Sequence, residues 1–175
     1  MEELSHSPNW EAIITLTVTS TGRTGSGFIE DANYFIGVDA ATVLRSDMFE
    51  ATTGVTTRVV IFRGNRFTRE QRLPNELRDF GFSKGLLQPK LEVAFLLAEL
   101  LDQGDLDQMG VRRIMVMHRP LFVPGYPWNL VPSLLTIGAY EHEIVWLDAR
   151  LTILNGPLSE DDGFAYVVPP DRAYV

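Results

Sequence analysis

His6, His118 and His142 are the only side chains in this 175-residue sequence whose ordinary pKa lies near neutrality, and the sequence holds no cysteine. Serine-type hydrolysis needs a hydroxyl nucleophile and a base within hydrogen-bond reach. The material for that is Ser133, Thr136 or Ser159 as nucleophile, with His118 or His142 as base. None of these hydroxyls lies in a recognisable elbow or Gly-rich loop. Ser26, held between two glycines, reads as a structural residue. His142 sits in Glu141-His142-Glu143, where alternation along a strand puts at most two of the three on one face. A zinc site needs three or four converging ligands, so no metal is expected, and no cofactor. The stretch Gly22–Gly27 lacks the lysine of a phosphate-binding loop.

Fifteen Lys and Arg against 23 Asp and Glu give a net charge of −8. That argues against a nucleic-acid partner, which needs a basic stripe. Arg58, Arg63, Arg66, Arg69 and Arg72 form one basic stretch in this acidic chain. A solvated hairpin face is its ordinary reading, and a docking patch for an acidic partner the sharper one. Hydrophobic residues at 45% and charged residues at 22% suit a soluble globular protein. No apolar run reaches the ~18 residues of a membrane span. The start, Met-Glu-Glu-Leu-Ser-His-Ser-Pro, has neither the basic n-region nor the apolar core of a signal peptide, so a cytoplasmic location is the default.

Short β-branched runs separated by turns carry the pattern that would position such residues. Strands are predicted over Ala12–Thr19, Gly27–Asp31, Tyr34–Val38 and Val55–Arg63, with Arg66–Arg72 as a hairpin partner of the last. Further strands are predicted at Ile114–Met117, Leu121–Val123, Leu134–Ala139, His142–Leu147, Ala149–Leu154 and Gly163–Val168. Residues 74–90 read as a long loop, and Ala40–Leu44 as a short helical turn. Leu91–Leu101 is helical by composition, being rich in Leu, Ala and Glu.

The blocks Thr24-Gly25-Ser26-Gly27-Phe28-Ile29 and Tyr34-Phe35-Ile36-Gly37-Val38-Asp39-Ala40-Ala41-Thr42-Val43-Leu44 resemble the start of a trypsin-like serine protease of the HtrA/Deg type. In that family a Gly-Ser-Gly-Phe strand precedes an apolar strand ending in Thr-Ala-Ala-His-Val-Leu. Three further segments match in order. Glu92-Val93-Ala94-Phe95-Leu96-Leu97 resembles the strand bearing the triad acid. Val123-Pro124-Gly125-Tyr126-Pro127 resembles the turn that opens the second barrel's core hairpin. Asp148-Ala149 with Leu154-Asn155-Gly156-Pro157-Leu158 resembles the nucleophile loop.

The resemblance implies an all-β fold, a two-lobed chymotrypsin-like double β-barrel with short helical turns. It divides the chain into a flexible leader (1–9), an N-terminal barrel (10–101), a linker (102–110) and a C-terminal barrel (111–175), and makes Leu91–Leu101 a strand. It places Thr42, Glu92 and Leu154 at the triad positions. Thr has no basic nitrogen and Leu no nucleophile, and loss of either role alone removes on the order of 10⁶ in rate. The implied function is a catalytically inactive, peptide- or protein-binding or scaffolding module. Its peptide groove would take in Tyr126, Trp128, Asn155 and Gly156. The expected partner is a protein or extended peptide, with homo-oligomers or a larger complex as further settings. The alternatives are an active serine-type hydrolase with a non-standard catalytic set, and an unrelated β-rich structural subunit of a larger assembly.

Overall fold

The structure, a computed structural model, describes residues 14–119, 121, 133–139, 145–151 and 156–170. In chain order these form β1 (Ile14–Thr21), α1 (Gly25–Glu30), β2 (Phe35–Ile36), α2 (Val38–Leu44), β3 (Thr53–Arg63), α3 (Pro74–Ser83), α4 (Leu91–Leu100), α5 (Gln103–Met109), β4 (Arg113–Val116), β5 (Ser133–Ala139), β6 (Val145–Leu151) and β7 (Asp162–Val167). All seven strands join one curled sheet in the order β1-β3-β7-β4-β5-β6-β2. Two neighbouring pairs are parallel, β7 with β4 and β6 with β2, and the rest are antiparallel.

The sheet separates two apolar layers by simple alternation. Val59 and Ile61 of β3, Ile114 and Val116 of β4, Leu135 and Ile137 of β5 and Leu147 of β6 face one layer, with Phe28, Val43, Phe95 and Leu106 from the helices. Val60 and Phe62, Met115, and Phe164 and Tyr166 face the other, against Leu77 of α3. There Phe62, Phe67, Phe80, Phe164 and Tyr166 meet edge to face at 4.9–6.3 Å, the geometry that the ring quadrupole favours.

The double barrel does not form. The chain is mixed α/β, 35% helix and 32% strand, and a single sheet draws strands from both halves of the sequence. Gly-Ser-Gly-Phe is a helix: the Thr24 hydroxyl accepts the Gly27 N–H at 3.2 Å as an N-cap. A side chain at Gly25 would collide with the Leu44 carbonyl, so α1 can lie against the end of α2 only with glycine there. The strand expected at Leu91–Leu101 does not form: Leu91–Leu100 is helical, in line with its Leu, Ala and Glu content, and its buried positions run almost all the way round. The span 102–110 holds α5, opened by a reciprocal capping box between Asp102 and Asp105 and closed by Gly110. Within 74–90 lies α3, with Pro74 in its first turn, where a missing N–H costs nothing. The hairpin partner expected at Arg66–Arg72 is replaced by two 3₁₀ turns, at Gly64–Arg66 and Glu70–Arg72. The two strands expected across 142–154 are one unbroken β6 over 145–151.

Candidate functional site

The expected triad positions are structurally occupied wherever they are described. Thr42 lies inside α2 and its hydroxyl donates back to the Val38 carbonyl at 2.9 Å, the ordinary local bond of a mid-helix threonine. Glu92 is a buried first-turn residue of α4, not a strand residue at the surface. Its carboxylate accepts the Thr52 N–H at 3.1 and 3.2 Å and the Thr52 hydroxyl at 2.6 Å. That clamps the loop entering β3 onto α4. Leu154 lies outside the described residues, as do Tyr126, Trp128 and Asn155 of the expected groove, while Gly156 is exposed just before β7.

His118 follows β4, and both of its ring nitrogens are taken. Nδ1 donates to the Arg119 carbonyl at 2.6 Å and Nε2 accepts the Leu135 N–H at 2.9 Å. Burial pulls its pKa down to about 4, with nearby Arg78 pushing the same way and the Arg119 carbonyl opposing. A neutral imidazole with no free nitrogen is neither a base nor a metal ligand; it sews β4's end to β5. Thr136 is fully buried in β5. Ser159 accepts the Asp161 N–H at 3.3 Å in the turn before β7. Ser133 begins β5, Ser26 is exposed on α1, and His6 and His142 lie outside the described residues. Among the described residues, no group of three or more His, Asp or Glu is placed to hold a metal, and no helix is long and apolar enough to cross a membrane.

The arginine stretch does not make one face. Arg63 packs against Gly110, Arg72 pairs with Glu160 at 3.3 Å, and Arg66 and Arg69 are exposed in the 3₁₀ region.

Two features stand out instead. The first is the outer edge of β1. This strand ends the sheet and pairs with β3 alone among the described strands. Its sequence, Ile-Thr-Leu-Thr-Val-Thr-Ser-Thr, carries no charge and no proline. Thr15, Thr17, Thr19 and Thr21 are exposed on one face. Ile14, Leu16 and Val18 face the core from the other. The Ser20 hydroxyl accepts the Val55 N–H at 3.0 Å beside the bulge between Thr19 and Thr21, fixing the register. The alternation was legible in the sequence; that β1 would stand at an edge was not, because edge position depends on which distant strands pair.

The second is a cavity of about 480 Å³ at the start of α4. Met48, Pro89, Leu91 and Leu121 give it apolar walls, His118 forms part of its lining, and Glu50, Lys90 and Arg119 stand at its exposed rim. Its size falls within the roughly 300–1,000 Å³ of small-molecule sites. These residues come from three separate stretches of the chain, two loops and the loop-to-helix junction at the start of α4, so no local motif announces it.

Comparison with known proteins finds no family model, no curated protein and no solved structure that matches this chain.

Proposed function

We propose that this chain is a non-catalytic binding module that takes an extended, neutral-to-basic segment of another protein as an additional strand along β1. The observation that carries this reading is the eight-residue β1 edge without charge or proline. Sheet edges are ordinarily guarded by lysine, proline or strong bulging, because their free N–H and C=O groups template pairing. An added strand gains main-chain hydrogen bonds, with specificity from alternate side chains. The face shared with half-buried Ile14 and Leu16 favours apolar residues at every second position, and the threonine face favours polar ones. A net charge of −8 disfavours a second copy of this chain and favours a basic partner segment.

The test is hydrogen exchange of the full chain with an octapeptide of alternating valine and lysine. Slowed exchange confined to residues 14–21, and binding weakened about tenfold by Thr17→Lys with Thr19→Lys, are the expected results. Protection elsewhere with β1 unchanged would overturn the reading. So would new peptide termini by mass spectrometry, which would mean turnover.

A further inference from the structure

The cavity at the start of α4 has a charge pattern at odds with the molecule around it. Lys90 and Arg119 are exposed at its rim and make no hydrogen bond or ion pair with a described residue through their side chains. Glu50 is the one acid among the described lining residues, which together carry a formal +1 in a chain of −8. His118 adds no charge, since its nitrogens are bonded to Arg119 and Leu135 and the ring stays neutral. Behind the cations the walls are Met48, Pro89, Leu91 and Leu121, with Pro89 and Leu121 buried. The methionine thioether is unbranched and adapts to differently shaped apolar groups.

We propose that this cavity binds a small amphipathic monocarboxylate, its apolar body against Met48, Leu91 and Leu121 and its carboxylate between Lys90 and Arg119. A monoanion matches the formal charge of the described lining residues. Arginine offers the planar two-donor fork that suits a carboxylate, and lysine a mobile point charge beside it. An apolar body of medium length suits the volume. Glu50 is a competing rim charge that holds affinity down. This site is separate from the β1 edge and stands or falls independently of it.

The experiment uses octanoate as probe, with octanol and octylamine as matched controls, read by calorimetry and by the His118 ring proton resonances of the full chain. Octanoate is expected to saturate one site and shift the His118 signals, while octanol binds at least tenfold more weakly and octylamine does not compete. Lys90→Glu with Arg119→Glu is expected to weaken octanoate at least tenfold. Both residues are exposed, so circular dichroism of that variant should match the parent. Glu50→Gln is expected to tighten octanoate severalfold. Equal affinity for octanol and octanoate would overturn the proposal, because head-group recognition would be missing. No saturable octanoate binding, or binding that leaves the His118 signals unmoved, would overturn it as well.

Discussion

His118 shows how a catalytic-looking residue becomes structural once its neighbours are in place. Its folded pKa of about 4 lies below the ordinary value of 6.5, so between those limits the unfolded chain binds the extra proton. Stability therefore falls as pH drops through that window and is insensitive to this group above it, with a full cost of about 3 kcal/mol. Replacing His118 by Gln should cost about 1–3 kcal/mol at pH 7 by disturbing bonds to Arg119 and Leu135. The gap between variant and parent should then shrink as pH falls to ~4.5. Urea midpoints of the two proteins measured across pH 7 to 4.5 check this, since carboxylate titration is common to both. A gap that stays constant would mean that His118 titrates normally in the folded state. The sequence showed a lone histidine after an apolar strand; its lost basicity comes first from burial, and its Nε2 is taken by a β5 amide seventeen positions away.

At the scale of elements, α2 illustrates a start supplied from elsewhere. Its N-cap is Gly37, which has no side chain to offer. Asp148 of β6 supplies the acceptor instead, its Oδ1 taking the Ala40 N–H at 3.2 Å and the Ala149 N–H at 2.9 Å. A β-carbon at Gly37 would run into that same carboxylate, and the Gly37 N–H bonds the Leu147 carbonyl at 2.8 Å. Asp148→Ala should cost about 1 kcal/mol, the usual value of a lost cap. Gly37→Ala should cost more alone than in the Asp148→Ala background, where its clash partner is gone. Equilibrium unfolding of the two single variants and the double completes the cycle, and strict additivity would refute the steric account. Asp148 had looked like part of a nucleophile loop because Asp-Ala followed by Asn-Gly-Pro-Leu fits that frame. Local signals that carry their own mechanism were the dependable ones. The alternation of β1, the β-branched run of β3 and the Leu-Ala-Glu composition of α4 could be read locally, whereas the span of α5 was expected as a linker although Asp102 and Asp105 form its capping box. Short motif matches could not choose between helix and strand for Gly25–Leu44, because that choice rests on how α1 packs against α2.

For the whole molecule, the parallel pairing of β4 with β7 is where the antiparallel run of β1, β3 and β7 joins that of β4, β5 and β6. Arg113 and Asp162 face each other across this seam. The Arg113 guanidinium donates to both Asp162 oxygens, Nε to Oδ1 at 2.8 Å and Nη2 to Oδ2 at 3.1 Å, and the Ser159 N–H adds a third bond at 3.1 Å. Asp162 is 1% exposed, so its desolvation is close to complete and the pair is worth having only while all three bonds stand. Asp162→Ala leaves a largely buried guanidinium without its partner and should cost about 3–5 kcal/mol. Arg113→Met with Asp162→Leu removes both charges and should recover a large part of that loss. Both apolar layers rest on this one sheet, so the destabilised variants should still melt in a single transition by circular dichroism and calorimetry. A second transition in Asp162→Ala alone would mean that the two sides of the seam hold together independently. The pair would then serve as a hinge between two cooperative units, and no longer as the lock of one.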